Sequence, residues 1–170
     1  MDALATITPK PGVTITLRRA SRADVTELVA LITSDPVAQS RGDLPDQDIA
    51  PYLDAFDAID ADPSELLVTA DRNGAVVGTF QLSFLPGLAR RGATRAQIEA
   101  VRVREDHRGM GVGEAMLRWA IAEAQHRGCA LVQLTSDQRR VDAHRFYERL
   151  GFVATHVGYK LELDPAQRPR

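Results

Sequence analysis

The chain has 170 residues, 44% hydrophobic and 26% charged, a balance typical of a soluble globular protein with enough chain for one core. Its formal net charge of −2 gives no global pull toward nucleic acid or a membrane surface, and no apolar run approaches bilayer-spanning length. The single cysteine, Cys129, excludes an internal disulfide and suits a reducing cytoplasm, while His107, His126, His144 and His156 show no close metal-ligand spacing, so no metal is expected.

Residues 1–12, with Pro9 and Pro11 and nothing resembling a signal peptide, are expected to be a flexible leader. Residues 13–17 alternate as a strand does. Ser21 is a candidate N-cap, followed by Val25, Leu28, Val29 and Ile32 at helical spacing. Residues 34–45 are rich in breakers, and a second helix is expected from about Asp46 to Ile59. The turn signal at residues 71–74 joins two strands, 65–70 and 75–84. A basic connector with Arg90, Arg91 and Arg95 leads to a strand over 97–103. A glycine loop and a helix starting at Val112 follow. A buried strand is expected over 130–135, and a short helix over 141–150 closed by Gly151. Two strands over 152–157 and 159–163 and a flexible tail, 165–170, complete the chain. The order is β-α-α-β-β-β-α-β-α-β-β, which predicts a mixed α/β single domain over 13–164. Its sheet should be mostly antiparallel, with helices packed on it and a parallel pair where a helix makes the crossover.

The stretch Arg108-Gly109-Met110-Gly111-Val112-Gly113-Glu114 stands between a strand and a helix. A helix start leaves backbone N–H groups without intrahelical acceptors and carries the positive end of the dipole. Glycines let an anion reach that backbone, and an arginine adds a charge-assisted fork, so the stretch has the chemistry of a diphosphate cradle. A P-loop would need Lys-Ser/Thr after its last glycine, which Gly113 lacks. A dinucleotide fingerprint spaces its glycines as GxGxxG, whereas Gly109, Gly111 and Gly113 alternate. An ordinary glycine turn remains the plainest reading of the loop taken alone.

Arg108, Gly111 and Gly113, behind Val101-Arg102-Val103, resemble the acyl-CoA loop of the GNAT superfamily of N-acetyltransferases, whose pattern is Arg/Gln-x-x-Gly-x-Gly/Ala. Downstream, Ala143-His-Arg-Phe146-Tyr147-Glu-Arg-Leu150-Gly151-Phe152 is similar to that family's Ala-x-x-Phe-Tyr-x-x-Leu-Gly-Phe. Together the two motifs cover roughly residues 97–161. The resemblance implies a GNAT-like sheet whose central parallel pair is splayed, with acetyl-CoA as cosubstrate. The backbone of Val101 and Val103 would bond the pantetheine arm as an extra strand. Arg108 and the amides of Gly109, Met110, Gly111, Val112, Gly113 and Glu114 would hold the pyrophosphate. Phe146, Leu150 and Phe152 are expected in the core. Tyr147, near the thioester sulfur, would protonate the departing thiolate. Glu99, two residues before Val101, stands where many members carry the general base, although an exposed strand glutamate is as often merely solvated. Arg140 occupies the place of a common family asparagine, which puts one pantetheine contact in doubt.

These expectations describe an N-acetyltransferase acting on a small-molecule or protein amine by direct attack in a ternary complex. Neither nucleic acid nor membrane is an expected partner, and homodimers are frequent in the family. Asp35, Asp43, Asp46 and Asp48, in or beside the early loop, could attract a cationic acceptor. The alternative is a non-catalytic acyl-CoA-binding module of the same fold. The acceptor itself is not legible.

Overall fold

A computed structural model describes residues 3–35, 39 and 48–163. The chain divides after Leu134 into two compact units. The first holds a six-stranded sheet in sequential order, built from β1 (Ala3–Lys10), β2 (Val13–Arg19), β3 (Glu65–Arg72), β4 (Ala75–Leu85), β5 (Arg95–Val103) and β6 (Leu131–Leu134). Every pair is antiparallel except β5–β6, which is parallel. The longer helices among the described residues are α1 (Val25–Thr33), α2 (Ala50–Ala61) and α3 (Val112–His126) in this unit, and α4 (Val141–Arg149) in the second.

The parallel pair follows from its connection: α3 carries the chain from β5 back to the start of β6, so the two strands run the same way. Alternation along the strands sends one row, Leu66, Leu82, Ile98 and Leu134, in register across four strands to one face. On that face Phe80 meets Trp119 of α3, with ring centroids 6.0 Å apart. Met116 and Leu117 are fully buried. Gly78 lets β4 and α3 pack closely there, because a Cβ at that position would stand 2.9 Å from the Met116 sulfur and 3.0 Å from the Arg102 carbonyl oxygen. Leu67, facing the other way, packs with α1 and α2 in a second cluster around Val25, Leu28, Val29, Phe56 and Val76. Arg18 is buried between Asp24 and Asp71, tying β2, β3 and the turn before α1 together.

Several boundaries differ from the sequence reading. Residues 3–10, expected as a leader, form the edge strand β1, because Ala5, Ile7 and Pro9 alternate as half-buried positions against β2. Both prolines lie where the hairpin ends, so neither removes a donor from the middle of the ladder. The second helix starts at Ala50, where Asp48 Oδ1 accepts the Ala50 amide at 2.9 Å. Asp43 and Asp46 lie outside the described residues, as does the tail 165–170, and Asp35 is buried. Cys129 is half-buried, and burial pushes its thiol above the usual range.

In the second unit, α4 forms as expected, and the Phe152 amide donates to the Tyr147 carbonyl at 3.1 Å just past Gly151. The strands expected over 152–157 and 159–163 are not present; Val153, Val157, Tyr159, Leu161 and Leu163 are exposed. Alternation alone makes no strand: backbone groups need a neighbouring ladder, and among the described residues this stretch pairs with none. No described helix is long and apolar enough to cross a membrane.

Candidate functional site

The site begins at a fault in the ladder. Thr79 pairs with Arg102 and Gln81 with Glu99, so two β5 residues, Ala100 and Val101, stand opposite the single residue Phe80. This is a β-bulge. Ala100 accommodates it at φ 51°, a left-handed conformation unusual for a residue with a Cβ. The bulge reverses the alternation, placing Arg102 opposite Thr79 and Val103 opposite Gly78. On its other side β5 is paired with β6 only through Arg95–Ile98. From Glu99 to Val103 no strand lies along that edge among the described residues, so an extended ligand backbone could lie there.

Beyond β5 the chain makes a 3₁₀ turn, Glu105–His107, before the glycines. The Arg104 amide donates to the Val77 carbonyl at 2.8 Å, carrying the β4 ladder one step further. Arg104 Nε donates to Asp106 Oδ1 at 2.8 Å, and buried His107 places Nδ1 2.7 Å from the same oxygen. Hydrogen bonds from Arg104 first, and then from His107, hold the Asp106 carboxyl at about 2. Arg108 emerges from this braced turn and its Nε donates to the Val103 carbonyl at 3.3 Å. One backbone acceptor expected to meet a ligand is therefore held by the arginine.

Gly109 and Gly111 adopt φ of 72° and 80°, and Gly111 is the residue before the first turn of α3. The Ala115 amide is bonded to the Gly111 carbonyl at 3.0 Å. The amides of Val112, Gly113 and Glu114, one turn earlier, therefore have no acceptor within the helix. A Cβ added at Gly109 would meet nothing within 4 Å. Amides without an acceptor in the helix, open space at Gly109 and the dipole of a 15-residue helix fit a diphosphate. A cleft of about 330 Å³ adjoins the turn, lined by Leu31, Ser34, Arg104, Glu105 and Arg108.

Two further cations reach this loop. Lys10 Nζ, at the end of β1, donates to the Gly109 carbonyl at 2.6 Å, and Arg72 Nη1 lies 3.8 Å from the Met110 sulfur. Pro9 packs over Gly111, its Cβ 3.2 Å from where a Cβ at Gly111 would stand. Sequence reading missed Lys10 because 99 positions separate it from Gly109. The signal was the alternation within residues 3–8, which marks them as a strand.

The loop and β5 thus bring Val101, Val103, Arg108, Gly109, Met110, Gly111, Val112, Gly113 and Glu114 together in the first unit, with exposed Glu99 just before the bulge. Tyr147 belongs to the second unit, where its ring lies between Phe146 and Phe152 at centroid distances of 5.4 and 6.1 Å.

Residues 26–152 match the model of the acetyltransferase (GNAT) family. The chain belongs to that family. It is 34% identical over 112 residues, 66% of this chain and 72% of the other, to an aminoalkylphosphonate N-acetyltransferase of Salmonella typhimurium. Among solved structures it resembles a protein of Bacillus halodurans C-125 described as a transcriptional regulator. That likeness has TM-score 0.81 and 38% identity, and covers 88% of this chain and 99% of that one. A Clostridium acetobutylicum acetyltransferase fold solved with acetyl-CoA matches at TM-score 0.66 and 21% identity, covering 91% and 98%, a likeness of fold alone. The expected sheet, mostly antiparallel with a parallel pair that separates beyond Ile98, is the family's fold.

Proposed function

We propose that this acetyltransferase-family chain transfers the acetyl group of acetyl-CoA to a primary amine by direct attack in a ternary complex. The observation that carries the reading is the junction of β5 with α3, where an edge with no neighbouring strand among the described residues runs into three amides that have no acceptor within the helix. Acetyl-CoA supplies the acyl group as a thioester. In this reading the amides from Gly109 to Glu114 and the Arg108 guanidinium hold its phosphates, and the Val101 and Val103 backbone aligns its arm.

The chain's own residues then have two protons to manage. A lysine-like amine has a pKa near 10.4, so freeing its lone pair at pH 7 costs about 4–5 kcal/mol. Glu99, exposed beside the bulge, takes that proton, directly or through water. The Tyr147 hydroxyl gives a proton to the departing thiolate. Holding both reactants in one complex contributes by orientation. Half-buried Cys129, its thiol pushed up, is a poor candidate for a covalent acyl carrier.

A non-catalytic acyl-CoA-binding role draws support from the regulator description of the Bacillus halodurans relative. Free-thiol detection with acetyl-CoA against a panel of amines separates the two. Amine-dependent thiol release is expected; binding of acetyl-CoA without release across the panel would favour the binding module.

A further inference from the structure

The two faces of the sheet carry different rows. One face carries the apolar row Leu66, Leu82, Ile98 and Leu134 under α3. One residue earlier on three strands, and one later on the fourth, the opposite face carries Glu65, Ser83, Gln97 and Gln133, also directly in register across β3, β4, β5 and β6. Solvated sheet faces are commonly polar, but these residues are not simply solvated. Ser83 and Gln97 are 8% and 9% exposed, and Glu65 and Gln133 are half-buried. Their side chains bond to one another: Gln133 Nε2 donates to Gln97 Oε1 at 2.7 Å, and Ser83 Oγ donates to Glu65 Oε2 at 2.8 Å. Gln81 Nε2 donates to the same Glu65 oxygen at 2.7 Å, and Gln81 is itself paired across the ladder with Glu99.

Withdrawing such a row from water costs free energy that apolar side chains would not, and it makes the face rich in hydrogen-bonding positions. The row leads across the sheet to Glu99 and the bulge. Glu65 and Glu99 are two strands and two residues apart, about 12 Å between Cα atoms from spacings of about 4.8 and 3.4 Å. Two glutamate side chains and a chain of about five carbons bridge that span. Glu65 Oε2 is occupied by Gln81 and Ser83, and a carboxylate has a second oxygen with which to accept. Arg102, past the bulge on the same face, directs Nη1 to the Val101 carbonyl at 2.8 Å and so lies beyond the row.

We infer that this polar row is the acceptor floor, and that the acceptor is a small amine carrying a second N–H or O–H donor about five carbons away, received by Glu65 while the reacting nitrogen lies at Glu99. The inference rests on the acetyltransferase reading above. It favours a diamine or amino alcohol, and it disfavours an amine with an anion at that distance.

Pentylamine, 5-aminopentan-1-ol, 1,5-diaminopentane and 5-aminopentylphosphonate present one nitrogen with four different far ends. The test measures acetyl-CoA-dependent thiol release with each, using the full chain. The expected result is at least a tenfold higher kcat/KM for the amino-alcohol and diamine acceptors than for pentylamine, with the phosphonate poorest. In Glu65→Gln, whose amide oxygen can still accept from Gln81 and Ser83, that preference should collapse through KM while KM for acetyl-CoA holds. Equal use of pentylamine, preference for the phosphonate, or a preference that survives in both Glu65→Gln and Glu65→Ala would overturn the acceptor floor and leave the acetyltransferase reading intact. Absence of thiol release with every amine would instead overturn the transferase reading, and this inference with it.

Discussion

Replacing Asp24 with Asn removes one side of the ionic clamp that fixes the start of α1 to the sheet. Arg18 grips Asp24 with two nitrogens, Nη1 to Oδ2 at 2.7 Å and Nη2 to Oδ1 at 2.8 Å, and reaches Asp71 Oδ2 with Nε at 2.6 Å. The Ser21 amide and hydroxyl add bonds to Asp24 at 2.6 and 2.7 Å. The Arg18 hydrogen bonds, opposed by burial and helped by Ser21, hold the Asp24 carboxyl down from 3.8 to about 2. A depressed carboxyl contributes stability that is present above its unfolded pKa and is lost as pH falls through its folded one. The contribution is therefore whole at neutral pH and disappears between about pH 4 and pH 2. At 1.36 kcal/mol per unit, a shift of nearly two units corresponds to about 2 kcal/mol. Side chains that are 9% and 12% exposed leave little solvent screening to discount this figure. Urea unfolding of wild type and Asp24→Asn at pH 7 and at intervals down to pH 2.5 reads it directly. The variant should be less stable at pH 7 by about 2 kcal/mol, and the gap should close as the pH falls. A gap that stays constant across the range would refute the assignment of this acid-sensitive stability to Asp24.

Four other outcomes follow from the site. Gly109→Ala and Gly111→Ala both place a Cβ at positive φ, but only the second meets Pro9, so Gly111→Ala should lower thermal stability more; equal losses would show that the β1 hairpin does not bear on the loop. Gly111→Val, where folded, should weaken acetyl-CoA binding sharply, which calorimetry would detect, and unchanged affinity would reject the cradle. Glu99→Gln should be slow at pH 7 and recover toward pH 10 as solvent deprotonates the amine; parallel kcat/KM profiles would leave water as the proton acceptor. Tyr147→Phe should lower kcat roughly 10²–10⁴-fold, the usual scale for a lost proton donor, and near-normal turnover would reduce Tyr147 to a packing role.

Local signals in the chain are legible in its sequence. Val25, Leu28 and Val29 lie buried on one side of α1, Gly111 stands at a helix start, and the Asn73-Gly74 turn joins β3 to β4. Such features depend on neighbours a few positions away. Residues 3–10 look like a leader because Pro9 and Pro11 act as apparent breakers until the hairpin that accommodates them is known. Residues 152–163 show the converse: their alternation is that of a strand, but among the described residues no strand pairs with them.

By itself, the sequence determined the strand, glycine loop and helix that give the loop its anion-binding chemistry, because left-handed glycines and a helix start are properties of adjacent residues. It also carried both family motifs. Only the tertiary structure decided the bulge at Ala100, the loss of β6 beside β5 after Ile98, and the placement of Lys10 on Gly109. It alone aligned Glu65, Ser83, Gln97 and Gln133 into one row. Those features depend on strand register, and register is fixed by pairing between segments far apart in the chain, where a shift of one residue would turn the polar row onto the apolar face.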